Sequence, residues 1–343
     1  MWKSMSSYRA MVLPIPKRVA RPLWSVMIPT YNCAAYLRET LTSVLAQDPG
    51  CELMQIEVVD DCSTQDDPAI VAAELGGRRV AFYQQSQNVG HVGNFNTCLQ
   101  RSRGRLVHLL HGDDCVRQGF YQKMQHVFVE NPQIGAAFCR YISMDEYGHW
   151  LSISPLEQSE SGVVDNWLEK IATGQRLQTP SMVVRREVYE QLGGFDSRVA
   201  HYGEDWEMWV RIAAHYPVWH EVEPLALYRV HATSLSGRTL RTGENAHDLR
   251  RVIEINRQYL PPAQMDDISR KARESFAVAC LRRAHRMIDA GVAQGPLVQM
   301  REALKTSHSV LVMGQAVLLF ARWSWKMLRA SELSFQRNGD HDG

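Results

Sequence analysis

The chain has 343 residues, of which 45% are hydrophobic and 22% are charged. This composition predicts a globular protein of about two domains and excludes a disordered or fibrous chain. Because the formal net charge is only +1, the overall charge gives no reason to expect a nucleic-acid partner.

The first 140 residues alternate short β-branched runs with amphipathic segments, which is typical of a mostly parallel α/β sheet flanked by helices. Strands are predicted at Trp24–Ile28, Ile56–Val59, Val80–Tyr83, Leu106–Leu110 and Ile134–Arg140. Helices are predicted at Ala34–Gln47, Val92–Ser102 and Val116–Glu130. In the first of these helices the apolar residues recur at helical spacing, which marks one buried stripe.

Three of the predicted strands end in polar clusters, at residues 29–32, 60–63 and 111–114. The carboxyl ends of parallel strands form one edge of a sheet, and ligands bind along that edge. The clusters are therefore expected to meet in one crevice. The alternative is that Asp, Asn and Gly are present because turns need them.

After residue 245 the pattern becomes entirely helical. A stripe of apolar residues from Ile268 to Ile288 predicts a helix that ends near Gly291, and Gly295-Pro296 opens another. A last helix is predicted over Val310–Ala330 and carries both aromatic and basic residues. Such a helix suits the surface of an anionic membrane, or it packs on protein.

Charge is distributed unevenly along the chain. Residues 1–21 carry five basic and no acidic side chains, residues 245–330 have a net charge of +7, and residues 22–244 have a net charge of −9. This division predicts a basic N-terminal arm at residues 1–22, a main domain at 23–240, a helical region at 245–330 and a flexible tail at 331–343.

The cysteines and the apolar runs limit the location of the protein. Seven cysteines are widely scattered without a Cys-x-x-Cys pair, which argues against disulfides or a zinc ribbon and favours the cytoplasm. The run Ala10–Ile15 is interrupted by Pro14, so no signal peptide is expected. The longest apolar stretch, Val310–Ala321, is too short for a membrane span, which needs about 20 residues.

The motifs, taken together, resemble the inverting nucleotide-sugar glycosyltransferases of family 2, which have the GT-A fold. The matching segments are 26–32 (VMIPTYN), 58–64 (VVDDCST), 88–90 (NVG) with Asn96 and Gly104, 111–114 (HGDD), 193–196 (GGFD), 203–206 (GEDW) and 228–231 (YRVH). The resemblance covers residues 23–236. It departs from the family where His111 replaces an Asp and where Cys62 replaces a Gly.

The resemblance implies a nucleotide-binding set of Pro29, Thr30, Tyr31, Asp60, Asp61, Asn88, Gly90, Asn96 and Asp113. A carboxylate such as Asp61 can accept the N3–H of uracil, and Tyr31 can stack on the base. Asp60 has a second interpretation, which is to support the turn.

Asp113 and Asp114 supply hard oxygen ligands at the end of a strand, which suit Mn²⁺ or Mg²⁺. The resemblance makes Asp114 the direct metal ligand and Asp113 a ribose or bridging contact. His231 is a further metal or diphosphate ligand, Arg229 offsets phosphate charge, and the role of His111 stays open.

Glu204 and Asp205 precede a predicted helix. By resemblance Asp205 is the general base that accepts the proton of the acceptor hydroxyl, and Glu204 supports it. The alternative is that acidic residues at this position only stabilise the start of the helix.

The sequence thus predicts a cytoplasmic, metal-dependent, inverting glycosyltransferase, peripheral to the membrane if the last helix binds lipid. The donor would be a nucleotide-sugar, with UDP as the expected nucleotide, and the acceptor a glycan or a lipid-linked saccharide. The alternative is a non-catalytic module that binds a sugar nucleotide or glycan. The sugar, the linkage and any homo-oligomer stay open, and no nucleic acid is expected.

Overall fold

The computed structural model describes residues 7–16, 18–231, 234, 243–292 and 295–339, with side chains up to Met327. The chain divides into two compact units. The first comprises Met1–Ile171, Gln175–Ala200 and Glu204–Ala232, and the second comprises Ala172–Gly174, His201–Gly203 and Thr233–Gly343. The domain limits drawn from the sequence stay predictions.

The first unit has strands and helices in alternation. In chain order they are β1 (Trp24–Thr30), α1 (Ala34–Leu45), β2 (Met54–Asp60), α2 (Pro68–Gly76), β3 (Ala81–Gln84), α3 (Gly90–Arg101), β4 (Leu106–Leu109), β5 (Cys115–Val116), α4 (Phe120–Glu130), β6 (Ala136–Met144), β7 (Trp150–Ile153), β8 (Gly162–Val163), α5 (Trp167–Ala172), β9 (Met182–Arg185), α6 (Arg186–Leu192), α7 (Glu204–Ala213) and β10 (Val218–Arg229).

These strands form one sheet in the order β3-β2-β1-β4-β9-β6-β10-β5, with β7 beside β6 and β8 beside β10. The pairs among β3, β2, β1 and β4 are parallel, as is β6 with β10, whereas β9 is antiparallel to both of its neighbours. All seven residues of β1 and of β2 are buried, as expected for central parallel strands covered on both faces. The predicted α/β class and the five predicted strands are confirmed.

Two features differ from the sequence prediction. The segment predicted as a helix from Val116 begins its helix only at Phe120, because Cys115 and Val116 instead pair with Leu227 and Ala226 of β10. In addition, strands β7, β8, β9 and β10 and helices α2, α5 and α6 were not predicted. Tertiary pairing overrides the local helical pattern at this position.

Residues 7–16 lie against the first unit. The backbone N–H of Gly194 donates to the carbonyl of Ala10, and the side chain of Val12 is only 1% exposed. The buried guanidinium of Arg186 donates to the carbonyl of Leu13. This part of the predicted N-terminal arm is therefore held by hydrogen bonds from the backbone of Gly194 and the side chain of Arg186 to its carbonyls.

The second unit is helical, as predicted. Its elements are α8 (Glu244–Asn256), α9 (Met265–Asp289), α10 (Pro296–Thr306) and α11 (Val310–Gly339). Cys280, Ala284 and Ile288 of α9 pack with Met300 of α10 and Val312 of α11 in a common core. Gly291 follows the end of α9 with φ +71°, and Pro296 is the first residue of α10. The end of α9 and the start of α10 therefore lie where the glycine and the proline predicted them.

Candidate functional site

Three loops meet at the carboxyl end of the parallel strands. The N–H of Asp61 donates to the carbonyl of Thr30 (2.9 Å), and the N–H of Gly112 donates to the carbonyl of Pro29 (3.0 Å). A Cβ at Gly112 would lie 3.0 Å from Cys33 Sγ and 3.1 Å from Thr30 Cβ. The close approach of these loops therefore depends on glycine at position 112, and the polar clusters converge on one edge.

Asp60 and Asp61 are both buried but bind different groups. Asp60 Oδ1 accepts from Ser63 Oγ (2.5 Å) and Asp60 Oδ2 from Ser63 N (2.9 Å), so this carboxylate supports the turn. Cys62, which follows Asp61, has φ +61°, a left-handed conformation that favours glycine. Asp61 Oδ1 accepts from the N–H of Val89 (2.7 Å), and burial raises its pKa.

The remaining predicted nucleotide-binding residues lie around Asp61. Tyr31 is 44% exposed, which leaves its ring free to contact a ligand. Asn88 Nδ2 donates to the carbonyl of Asp61 (3.1 Å), and its Oδ1 accepts from the N–H of Gly90 (3.2 Å). The hydroxyl of Thr30 is 2.9 Å from Cys33 Sγ.

Asn96 is directed to a different loop. Its Oδ1 accepts from the N–H of Phe195 (2.8 Å), and its Nδ2 donates to the carbonyl of the same residue (3.2 Å). A Cβ at Gly194 would lie only 2.3 Å from this Oδ1. Both ends of the Asn96 amide are thus engaged in positioning the loop that contains Gly194 and Phe195.

Asp113 and Asp114 form the first pair of acidic residues at the site. Asp114 is 1% exposed, and its Oδ1 accepts from the backbone N–H of Arg229 (2.8 Å). Its Oδ2 has no hydrogen-bond partner among the described residues. The Asp113 side chain is 25% exposed, and its Oδ2 lies 3.0 Å from His231 Nε2.

The pair is asymmetric in its acidity. Burial and the negative charge of Asp113 raise the pKa of Asp114 to about 6. For Asp113 burial acts in the same direction, but the hydrogen bond from His231 and the charges of His111 and His231 together outweigh it and lower the pKa. Ligand atoms of His111, Asp113 and Asp114 lie within 4.8 Å of one another. A buried carboxylate oxygen without a partner, in such a cluster, fits a divalent cation.

Arg229 does not have the predicted role of offsetting phosphate charge. Its side chain is fully buried, where Nη2 contacts Glu39 Oε2 (2.6 Å) and Nε donates to the carbonyl of Asp113 (2.9 Å). Its guanidinium also lies over the ring of Tyr36. Arg229 therefore supports the turn that carries the acidic pair.

Glu204 and Asp205 form a second acidic pair in the first turn of α7, and both are buried. Asp205 Oδ1 accepts from the N–H of Trp206 (2.7 Å), and its Oδ2 accepts from Gln175 Nε2 (2.8 Å) and Thr179 Oγ1 (3.3 Å). Burial and the charge of Glu204 raise the pKa of Asp205. Burial also acts to raise the pKa of Glu204, but the contact with His91 and the charge of His111 together outweigh it and lower that pKa.

A row of aromatic side chains connects the two acidic pairs. His91 Nε2 lies 3.4 Å from Glu204 Oε2, and its ring meets the Phe95 ring edge to face. Phe95 in turn stacks on His111, with ring centroids 5.0 Å apart, and His111 Nδ1 is 3.5 Å from Asp114 Oδ2. The two acidic pairs thus line one site. Asp61 adjoins it, because its carboxylate accepts a hydrogen bond from Val89, the residue that precedes α3.

Sequence reasoning missed His91, Gln175 and Thr179. His91 directly follows the Asn88–Gly90 motif, so its position beside a predicted nucleotide-binding segment was a usable signal. Gln175 lies in an irregular segment and Thr179 begins a short 3-10 helix, and their contact with Asp205 depends on tertiary structure alone.

Comparison with known families and sequences gives consistent results. The model for glycosyl transferase family 2 matches residues 25–193. An uncharacterised protein of Mycobacterium tuberculosis is 29% identical over 68% of this chain and 75% of its own length. An uncharacterised glycosyltransferase of Rickettsia prowazekii is 25% identical over 68% and 72%. TuaG of Bacillus subtilis, whose name assigns it provisionally to teichuronic acid biosynthesis, is 27% identical over 53% and 76%.

Two solved structures share the fold. Residues 1–349 of Staphylococcus aureus TarS, in complex with UDP-GlcNAc, align with a TM-score of 0.59 and 17% identity over 73% of this chain and 71% of that one. The mannosyltransferase PcManGT of Pyrobaculum calidifontis, in complex with GDP-mannose and Mn²⁺, aligns with a TM-score of 0.55 and 17% identity over 93% and 86%. The predicted GT-A type fold is confirmed by these neighbours.

Proposed function

We propose that the chain is a glycosyltransferase of family 2, whose model matches residues 25–193, and that it transfers one sugar from a UDP-sugar to a hydroxyl group with inversion at the anomeric carbon. The observation that carries this proposal is the arrangement of two buried acidic pairs, Asp113 with Asp114 and Glu204 with Asp205, along one site. A module that only binds a sugar nucleotide has no need of a second, proton-accepting pair.

The donor nucleotide is assigned to the side of the site that contains Asp61 and Tyr31. The Asp61 carboxylate, oriented by the N–H of Val89, accepts the N3–H of uracil, and the exposed ring of Tyr31 stacks on the base. The UDP-GlcNAc named in the TarS complex supports a uridine nucleotide. Asn88 and Gly90 shape the loop around Asp61.

The metal site is assigned to Asp113 and Asp114, with His231 and His111 beside them. A divalent cation bound there would neutralise the diphosphate and stabilise the charge of the departing UDP. The unpartnered Asp114 Oδ2 supports this assignment, and the Mn²⁺ named in the PcManGT complex favours Mn²⁺ over Mg²⁺. His231 orients Asp113 through their 3.0 Å contact.

Asp205 is proposed as the general base. It accepts the proton of the acceptor hydroxyl while the oxygen forms a bond to the anomeric carbon and the bond from that carbon to UDP breaks. Its raised pKa brings its basicity close to the pH of the cell. Gln175 and Thr179 hold one of its oxygens. A single displacement of this kind inverts the configuration.

The test is UDP release by the purified full-length chain from a panel of UDP-, GDP- and dTDP-sugars, with and without Mn²⁺ and candidate glycan acceptors. We expect Mn²⁺-dependent release from a UDP-sugar, lost in Asp114→Ala and Asp205→Asn. Asp266→Asn is the matched control, because that carboxylate is 85% exposed on α9. Full transfer by folded D114A and D205N would refute the mechanism, and UDP binding without release by any acceptor would indicate the binding module.

The acceptor is proposed to be a glycan or lipid-linked saccharide of a cell-surface polysaccharide, as the name of TuaG suggests for that relative. The seven unpaired cysteines favour action in the cytoplasm. In the part of the chain that the structure describes, none of the helices combines the length and the hydropathy of a membrane span.

We further propose that α11 lies on an anionic membrane surface. One face packs on its own unit through Val312, Ala316 and Leu319, whereas Val317 and Leu318 on the other face are 69% and 73% exposed. From Ala303 to Ser331 the sequence has four Lys or Arg residues and no acidic residue. An apolar helix face with this charge is typical of interfacial helices.

Vesicle flotation tests the membrane proposal. The protein should float with phosphatidylglycerol vesicles and not with phosphatidylcholine vesicles, and the variant Val317→Asp/Leu318→Asp should not float. Val129→Asp, which replaces a 68% exposed valine of α4, is the matched control. A dimer in light scattering that the double variant dissociates, without flotation of either protein, would instead assign this face to a second copy.

A further inference from the structure

His91 is a half-buried titratable group that the proposed mechanism does not use. It lies in the first turn of α3 and its side chain is 20% exposed, while that of Glu204 is 11% exposed. The imidazole Nε2 is 3.4 Å from Glu204 Oε2. The imidazole ring also packs edge to face against the ring of Phe95. This geometry brings one cation and one anion together inside the site.

No other basic side chain among the described residues contacts Glu204. Its charged and titratable surroundings are His91 on α3, Asp205 next to it on α7 and, at longer range, His111 after β4. His91 faces Glu204, Asp205 and His111, and its charge also acts on Asp61 at the end of β2. Burial lowers the pKa of His91, but the nearby carboxylates of Glu204 and Asp205 together outweigh burial and raise it.

The consequence concerns which acid of the second pair binds a proton. Two neighbouring buried carboxylates cannot both ionise without a counter-charge. With His91 beside it, Glu204 stays ionised, so that the proton is taken up and released at Asp205. Asp205 itself is held by the neutral donors Gln175 and Thr179 and by the N–H of Trp206.

We propose that His91 is a positioning residue that holds Glu204 as a carboxylate, and that Glu204 in turn leaves Asp205 as the proton acceptor of the site. The inference rests on the proposed transferase function. In the alternative, His91 only fills space against Phe95. The two interpretations predict different effects of a neutral replacement of His91. Loss of packing lowers the rate at every pH, whereas loss of a charge moves the pH profile.

The first experiment is the pH dependence of kcat/KM for His91→Gln, from pH 5.5 to 9. Without the imidazolium, the Glu204–Asp205 pair binds a proton more readily, so the acid limb should move up by about one pH unit. At a pH below both limbs the rate should fall about tenfold, whereas the alkaline plateau should change less than about twofold. His126→Gln is the matched control, because His126 pairs with Glu130 on the surface of α4. An unmoved limb, or an equal loss at every pH, would overturn the proposal.

Glu204→Gln provides the second test. If His91 acts through Glu204, adding His91→Gln to Glu204→Gln should cause less than a twofold further change in kcat/KM at any pH. An undiminished tenfold effect in that background would refute the proposal.

A third measurement does not depend on catalysis. Histidine NMR titration of the full-length protein, with the His91 signal assigned by its absence from H91Q, should give a pKa above 6.5 that falls in E204Q. A value at or below 6.5, or no response to E204Q, would overturn the pairing. If no variant and no wild-type protein transfers sugar, the proposed function fails, while this titration still decides whether His91 and Glu204 are coupled.

Discussion

Gly194→Ala should destabilise the first unit although it adds only one methyl group. The new Cβ would lie 2.3 Å from Asn96 Oδ1, so the amide must move away and both of its hydrogen bonds with Phe195 are lost. Each such bond contributes about 1 kcal/mol, and a buried N–H left without a partner costs a further 1–3 kcal/mol. We expect the free energy of unfolding to fall by about 3–5 kcal/mol and the thermal midpoint to fall by roughly 6–20 °C.

The variant Asn96→Ala tests whether the clash with Asn96 Oδ1 is the reason for the loss of stability in Gly194→Ala. This variant alone loses the same two hydrogen bonds, but it also removes the atom that obstructs the methyl group. Gly194→Ala should therefore cost less than about 1 kcal/mol in the Asn96→Ala background. The assay is a double-mutant cycle from urea unfolding of the four proteins. Costs that add to within about 0.5 kcal/mol would refute the reasoning.

Calorimetry with UDP on the same variants distinguishes two roles of Asn96. Because both ends of its amide bind Phe195, we expect Asn96→Ala and Gly194→Ala to change UDP affinity equally, by less than about threefold, at temperatures where both are folded. A selective loss of affinity in Asn96→Ala would favour the nucleotide contact predicted from the sequence.

Three further predictions concern single positions. Because Asp205 must lose its proton to act and its pKa is raised to about 7, wild-type kcat/KM should rise with pH through that value, and Asp205→Asn should lower kcat by about 10²–10⁴. Burial and the charge of Asp113 disfavour ionised Asp114, so Asp114→Asn should raise the melting temperature of the metal-free protein at pH 8 and abolish its stabilisation by Mn²⁺ in a thermal-shift assay. Cys62→Gly relieves the φ of +61° and should raise the unfolding free energy by up to about 1 kcal/mol, measured by urea unfolding, whereas a loss in Cys62→Gly would contradict this account.

The part of the fold that the sequence predicted is the part encoded locally. The runs of β1 and β2 are apolar throughout because both faces of the sheet are covered, and glycine and polar turns mark their ends. The strand β10 has no such run. It includes the buried polar residues His220 and Glu221, and its pairing with β6 shifts register around Pro224. Since its partner lies some 80 residues earlier, the pairing has no local signature.

The residues of the candidate site likewise divide into those that could be predicted from the sequence and those that could not. The acidic residues could be predicted because they follow strand ends or open a helix, and the topology alone brings such positions together. Their partners could not. Arg229 was expected at the phosphates, but it is buried against Glu39 and the carbonyl of Asp113. His91 has no sequence signal of its own beyond its place after Gly90. Tertiary packing decides which basic side chain pairs with which acidic residue.

The two acidic pairs share one electrostatic arrangement and differ in one detail. In each, a histidine contacts the acid whose pKa is lowered, His231 at Asp113 and His91 at Glu204, while the pKa of the neighbouring acid is raised. The first pair has a second histidine, because His111 Nδ1 also lies 3.5 Å from Asp114 Oδ2. The neighbours then differ in their hydrogen bonds. Asp205 has donors on both oxygens, so both oxygens are hydrogen-bonded in the carboxylate form that accepts a proton.

Asp114, in contrast, keeps one buried oxygen without a hydrogen-bond partner in the part of the chain that the structure describes. Such an oxygen is costly until a cation occupies it. The same pairing of burial with a neighbouring charge therefore suits one pair to hold a cation and the other to accept a proton. Exchange of a single donor should be enough to weaken this distinction: Gln175→Leu removes the 2.8 Å donor to Asp205 and should raise the pKa of Asp205 further, seen as an acid limb at higher pH.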